Sequence, residues 1–444
     1  MSNHLDLVIK NGKVVFPDGV KTKDIGVKAG KITAIDDQIN LPATQVDNAQ
    51  GLYIFPGAID VHVHFNEPGR EDWEGFTTGS YMLAAGGYTS YFDMPLNGIP
   101  STTNLRAFQE KNELAKKKSV IDHYLWGGLV PGNIEDLSNL ASAGVVGFKA
   151  FISDSGNEEF SAVDDDTLIQ GMKEIARLDK ILALHAESRT ITNFLTAEKI
   201  AQQKLSADDY LTSRPIVAEV EAVHKALTYA EVTGCPLHFV HISSPQAVEK
   251  IREAKRKGID VTVETCPHYL LYSHSALQTK GAVAKCSPPL RLEKERKQLI
   301  QLLCDNEFDI IASDHSPAPF ALKDPVTHDI FSAWGGISGG QFTLLSMLEL
   351  VKKHNISLEI IADWTALNPA KRFSLDGKGK IDIGYDADFA IISLDKETVV
   401  SPYNYYAKHK HSLYEDHCFP CSVLRTYNRG NVVFDESKVR TTSC

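Results

Sequence analysis

Four histidines, a lysine and an aspartate stand where side chains could hold metal. His62 and His64 occur in Asp60-Val61-His62-Val63-His64, Lys149 in Val146-Gly147-Phe148-Lys149-Ala150-Phe151, and His185 follows Ile181-Leu182-Ala183-Leu184. His241 follows Phe239-Val240, and Asp314 ends Ile310-Ile311-Ala312-Ser313-Asp314. A spacing of two along an extended chain turns both imidazoles to one side, so His62 and His64 can share one ion. Any one of these histidines, taken alone, is more often a hydrogen-bonded core or loop residue. Together, at the same ends of successive strands, they converge on one mouth.

Lys149 needs a separate account, because an ammonium inside an apolar strand is costly without a partner. It cannot ligate a metal as it stands. A lysine that has taken up carbon dioxide becomes a carbamate (N6-carboxylysine) whose two oxygens can bridge two divalent ions. Such a pair keeps residual positive charge beside Asp314, which suits an oxyanion forming at an amide carbon. Imidazole and carboxylate ligands accept zinc, cobalt, manganese or iron by similar rules.

Elements that could position these residues follow from the rhythm of the chain. Residues 56–375 alternate apolar strands with helical stretches such as 104–118, 164–179, 218–233, 246–257 and 293–306. Eight strands are expected at 58–60, 89–93, 123–126, 145–149, 181–185, 237–241, 261–264 and 309–314, which predicts an α/β fold with a closed (β/α)8 barrel of the TIM type. Residues 1–55 and 376–444 read instead as short strands separated by Asn11-Gly12, Pro17-Asp18-Gly19 and Ala29-Gly30 turns. The two ends are expected to pair into one small β-sandwich domain beside the barrel.

Composition narrows the function. The 46 basic and 57 acidic residues give a net charge of -11 with no basic stripe, which argues against nucleic acid. No run approaches the roughly 18 apolar residues of a membrane helix. Met1-Ser2-Asn3-His4-Leu5-Asp6 lacks a cationic segment ahead of an apolar one, so a soluble cytoplasmic protein is expected. Seven cysteines (Cys235, Cys266, Cys286, Cys304, Cys418, Cys421 and Cys444) are an odd, dilute set that fits reduced thiols. Two further clusters imitate metal sites. His409, His411, His417, Cys418 and Cys421 lack a second Cys-x-x-Cys pair and read as a loop, and Asp164-Asp165-Asp166 opens a helix whose dipole it complements.

The set His62-x-His64, Lys149, His185, His241 and Asp314 resembles the cyclic amidohydrolases, the group of dihydroorotase, hydantoinase and allantoinase, over essentially the whole chain. Local strings are most similar to the allantoinase branch: Glu67-Pro68-Gly69-Arg70, Asp93-Met94-Pro95-Leu96-Asn97, Ser213-Arg214-Pro215 with Glu219, Cys266-Pro267-His268-Tyr269, Lys285-Cys286-Ser287-Pro288-Pro289, Ser313-Asp314-His315-Ser316-Pro317 and Trp334-Gly335-Gly336-Ile337. Asn66 stands where dihydroorotases usually carry a carboxylate-binding arginine, and Asp154 where hydantoinases resemble one another in a tyrosine. Arg70 is read as a salt-bridge residue between Glu67 and Asp72.

The resemblance implies a two-metal barrel, usually with zinc, and a carboxylated Lys149 bridging the ions. It implies a homotetramer acting on a small molecule, allantoin, whose hydantoin ring amide is hydrolysed to allantoate. Asp314 would ligate metal and carry the proton from the attacking water to the leaving nitrogen. Asn97, Ser287 and the backbone around Gly336 are the candidates for holding the ring and ureido groups. Hydantoinase, dihydropyrimidinase and dihydroorotase activities are the alternatives. A metal-free scaffold role is disfavoured because all six ligand positions are filled.

Overall fold

Eight short apolar segments pair side by side and in parallel around one axis in the computed structural model, which describes residues 4–439. Met1 to Asn3 and Cys444, on which the sequence reading drew, lie outside the described residues. Ala58–Val63, Tyr88–Asp93 and Asp122–Leu125 form the first run. Beyond Trp126 the third strand continues as Gly127–Gly128, which pairs with Phe148–Phe151, followed by Leu182–His185, Leu237–Phe239, Val261–Thr265 and Ile310–Ile311. A parallel bridge between Val63 and His315, with His64 N–H donating to the His315 carbonyl at 2.8 Å, closes the ring.

Parallel neighbours require crossovers, and helices supply them. The helix Asp165–Arg177 buries Leu168, Met172 and Ile175, an apolar stripe at helical spacing. Asp164 caps it by accepting from the Thr167 N–H at 2.8 Å, so the acidic triplet serves the helix start. The barrel interior is filled by Ile59, Val61, Phe92, Met94, Trp126 and Ile310, with Phe373 packed against them. This apolar plug confines polar side chains to the ends of the strands. The fourth strand runs 148–151, later than the expected 145–149, because Gly144 (φ 105°) is still closing the helix Leu137–Ala143.

Both chain ends enter one eight-stranded sheet. Tyr53–Pro56 lies between Leu5–Phe16 and Phe389–Ser393, and Ser422–Asn428 and Asn431–Asp435 extend the far edge. Leu7, Ile9, Val14, Ile25, Phe389 and Ile391 share its apolar core. Asn11-Gly12, expected as a turn, is a bulge inside the single strand Leu5–Phe16. Asn11 is left-handed (φ 59°) and donates its N–H to Asp24 Oδ1 at 2.9 Å, while a Cβ on Gly12 would stand 2.2 Å from Ile54 Cδ1. Gly19 and Gly30 do sit at hairpin ends. Among the described residues no helix is long and apolar enough to cross a membrane, and all six cysteines are free.

Candidate metal centre

The ends of strands one, five, six and eight bring His62, His64, His185, His241 and Asp314 to one cavity of about 630 Å³. His62, His64 and Asp314 present ligand atoms within 4.8 Å of one another. His62 Nε2 lies 3.2 Å and His64 Nε2 3.3 Å from Asp314 Oδ1. The second pair is His185 and His241, whose Nδ1 and Nε2 face each other at 3.2 Å, and the His62 and His241 rings, 5.3 Å apart, join the two groups.

The backbone is bent to achieve this. His241 (φ 40°) and Asp314 (φ 46°) are both left-handed, a conformation costing a non-glycine residue about 1–3 kcal/mol that persists where surrounding structure enforces it. Part of that enforcement is Glu264, fully buried, which accepts from His62 Nδ1 at 2.9 Å, from His238 Nε2 at 3.0 Å and from the His241 backbone N–H at 3.0 Å. Burial pushes the Glu264 carboxyl up, but His62 and His238 outweigh it and hold the group down at about 2. Glu187 does the same for His185: it accepts from Nε2 at 2.9 Å and is gripped by Arg214 through Nε at 3.1 Å and Nη2 at 2.5 Å. Anchoring one ring nitrogen to a carboxylate leaves the other's lone pair for a ligand.

Two buried atoms of the six candidate ligands have no hydrogen-bond partner among the described residues. Lys149 Nζ is fully buried and bonds to nothing, lying 5.1 Å from the centre of the Phe151 ring, which itself stacks on His185 at 4.6 Å. Burial pushes this amine down to about 7, from which the neutral, carbon-dioxide-reactive form is within reach at neutral pH. The other atom is His241 Nδ1. Burial, then the neighbouring His185 and Lys149, hold the His241 imidazole well below its ordinary range, which keeps the ring neutral. Converging lone pairs and one carboxylate form a donor set that fits divalent cations, with the amine of Lys149 beside it.

The remaining candidates line the same cavity. Asn97 Nδ2 is 3.4 Å from His64 Nδ1, and the Ser287 hydroxyl is paired at 2.7 Å with Tyr210 Oη. Gly336 (φ 133°) donates its N–H to the Lys285 carbonyl at 2.8 Å, and a Cβ there would lie 2.5 Å from the Ser316 carbonyl. Neighbouring Gly335 has room for a Cβ, whose nearest neighbour would be Lys285 Cε at 3.9 Å. Asp154 stands on the rim, paired with Arg189 at 2.9 Å, and Asn66 is buried with its side chain toward the Pro317 carbonyl. Arg70 differs from expectation: Glu67 pairs with Lys118, while the Arg70 guanidinium lies over Trp73 at 4.9 Å. Among the described residues Arg70 forms no ion pair with Glu67 or Asp72, and the contact with the indole stands in its place. His409 and His417 are occupied elsewhere, by the Asp72 carbonyl and Glu349.

Glu187, Arg214, Glu264, His238 and Tyr210 were not singled out as site residues. Glu187 was within reach, since it stands two residues after His185 and shares its side of an extended chain. The others meet the site only through the fold.

A family model described as the amidohydrolase family matches residues 53–433. The allantoinase of Bacillus velezensis is 53% identical over 431 residues, 97% of this chain and 94% of that protein. The allantoinase of Deinococcus radiodurans is 46% identical, covering 98% of this chain and 96% of its own length. Among solved structures, an L-hydantoinase (dihydropyrimidinase) from Arthrobacter aurescens superposes with a TM-score of 0.95 at 33% identity, covering 98% of both chains. The extent of these matches and the barrel-mouth cluster agree, and the chain belongs to the amidohydrolase family.

Proposed function

We propose that the protein hydrolyses the hydantoin ring amide of allantoin to allantoate. The observation that carries the substrate is the identity of 53% to an allantoinase across nearly the full length of both proteins. The cavity is consistent with it. Neutral groups, Asn97, Ser287 and the Gly335–Gly336 backbone, are part of its lining, and Asn66 stands in place of a carboxylate-binding arginine.

On this reading His62, His64, His185, His241, Asp314 and carboxylated Lys149 hold two divalent ions, with zinc the expected metal. The ions supply a water acidic enough to attack at neutral pH and draw charge from the ring carbonyl. Asp314 Oδ accepts the proton of the attacking water. The new C–O bond forms, the ring C–N bond breaks, and Asp314 returns the proton to the departing nitrogen, leaving a ureido group and a carboxylic acid that ionises by releasing the second proton of the water to solvent. Burial raises the Asp314 carboxyl, but His62, His64 and His241 outweigh it and hold it far below its usual range, so it enters the reaction ionised. Glu264 and Glu187 orient the imidazoles. Asn97 and the Ser287 hydroxyl hold the ring and its ureido group.

The same reading assigns the chemistry to a barrel at 56–375, the supporting domain to 1–55 and 376–444, and the working form to a cytoplasmic homotetramer. The test is hydrolysis of allantoin by purified protein, with metal content measured on the same sample and hydantoin and dihydroorotate run in parallel. Allantoate formation with about two metals per chain is expected. Hydantoin turnover greatly exceeding allantoin turnover would keep the chemistry and overturn the substrate.

A further inference from the structure

Two more lysines are buried without a carboxylate partner among the described residues, and both end in backbone carbonyls. Lys285 Nζ donates to the carbonyls of Phe331 at 3.0 Å and Ala333 at 2.5 Å. Lys323 Nζ donates to those of Ala282 at 3.1 Å, Trp334 at 2.9 Å and Gly336 at 2.8 Å. The Gly336 N–H returns a bond to the Lys285 carbonyl at 2.8 Å. Burying an ammonium against neutral dipoles alone is costly, and an apolar side chain of similar length would fill the same space. What these lysines add is a tie on the carbonyl side of a segment whose N–H groups are held by a turn on Asp329 and by the Trp334 N–H donating to the Leu322 carbonyl at 2.8 Å.

That segment, residues 331–336, is neither helix nor strand and forms one wall of the cavity. The opposite end of the strap is the 282–287 stretch, which carries Ser287. Lys285 also lies over the Tyr210 ring at 5.1 Å, and Tyr210 Oη bonds Ser287 Oγ. The two lysines therefore tie the Ser287 wall to the Gly335–Gly336 wall, while Trp334 packs edge-on against Trp73 at 4.8 Å on the loop beyond His64.

We propose that Lys285 and Lys323 are positioning residues, a double strap that sets the spacing between the two walls and thereby how tightly a polar cyclic amide is held, without touching the metals. This rests on the reading of the cavity as the substrate site. Lys285→Met and Lys323→Met are to be compared with the parent holoenzyme for metal content, for kcat and KM with allantoin, and for amide hydrogen exchange of residues 331–336. The expected result is unchanged metal, kcat within about threefold, KM raised about tenfold or more, and exchange of 331–336 faster by about tenfold with other segments unaffected. A lowered Tm with KM and local exchange both unchanged would reduce the lysines to packing and overturn the proposal. Should the variants not accumulate, the parent holoenzyme decides it: amides of 331–336 exchanging as fast as the exposed 324–328 turn would overturn the strap, and slower exchange by about tenfold would support it. Failure of the substrate reading is distinguishable, since the parent protein would then turn over another ring while the exchange result stands.

Discussion

Two clusters among the described residues gather ligand atoms closely enough to hold a metal ion and differ in what surrounds them. His62, His64 and Asp314 gather at the barrel mouth, and Asp122, Asp386 and Asp388 gather where the barrel meets the sheet of the chain ends. In the second cluster Lys378 reaches all three carboxylates, at 2.6, 3.2 and 2.7 Å, while Lys31 and Arg429 approach Asp386 and Asp122 from outside. Burial would push the Lys378 ammonium down, but Asp388 and Asp122 outweigh it and hold it up. The cation this cluster needs is part of the chain. At the barrel mouth the chain offers lone pairs and an amine with no acceptor, and among the described residues no lysine or arginine pairs with Asp314. Spacing alone does not separate the two; countercharge does.

The most severe way to break that contrast is Lys149→Ala. Loss of activity on the order of 10³-fold or more, together with loss of bound metal, is expected, with partial return when a small carboxylate is added. Metal analysis and turnover on the same sample check it, and full activity without added carboxylate would remove the bridge from the mechanism. Next in size is Lys378→Met, which strips the built-in cation from the other cluster. It should cost about 3–5 kcal/mol of stability in denaturant titration, because buried Asp388 loses its cation while Lys31 and Arg429 still face Asp386 and Asp122, and metal content and KM should stay as in the parent. Loss of metal in this variant would mean that the two clusters are not independent.

Glu264→Gln sharpens the comparison on the metal side. It keeps the shape and removes the charge that orients His62 and His241, so metal affinity should fall by about 10–100-fold in chelator competition. An unchanged affinity would make Glu264 a packing residue. The smallest effect is on pH. Burial pushes Lys285 and Lys323 down to about 7, Lys285 facing Arg214 and Asp329, and Lys323 facing Lys285 and His411. An unfolded lysine binds its proton up to about 10.4, so between these values the unfolded chain holds more protons and stability rises with pH. Each lysine contributes a slope of at most about 1.4 kcal/mol per pH unit above 7. Unfolding measured from pH 7 to 9 should show the slope, and either methionine variant should flatten it; a slope identical in parent and variants contradicts the depressed values.

What could be read before the structure was the part written locally. Apolar strands alternating with helices announce a barrel, and histidines at or just after the ends of the first, fifth and sixth of those strands, with Asp314 at the end of the eighth, announce the mouth. Lys149 was conspicuous because an ammonium does not belong in Phe148-Lys149-Ala150-Phe151. The unread part is written in pairs distant along the chain. Glu264 acts through His62, about 200 residues earlier. Lys323 is one surface-type residue among many until its carbonyls are known. Asn11-Gly12 has every local mark of a turn, and only Asp24 and Ile54 make it a bulge. Arg70 had two plausible carboxylates in sequence, and the loop gave it an indole.

The sheet that joins the chain ends also imposes an order of events during synthesis. Tyr53–Pro56 leaves the ribosome early, yet its antiparallel partner Phe389–Ser393 follows about 330 residues later, when nearly the whole barrel has been made. Closing a loop of that length costs roughly 5 kcal/mol of chain entropy, and only one edge of the early strand is covered meanwhile, by Leu5–Phe16. The nascent chain therefore carries an open, apolar strand edge for most of its translation, the kind of surface that pairs with other chains or is held by chaperones. A stop codon between residues 315 and 389 would leave that edge open permanently, so truncated products should aggregate even though every candidate metal ligand is present in them.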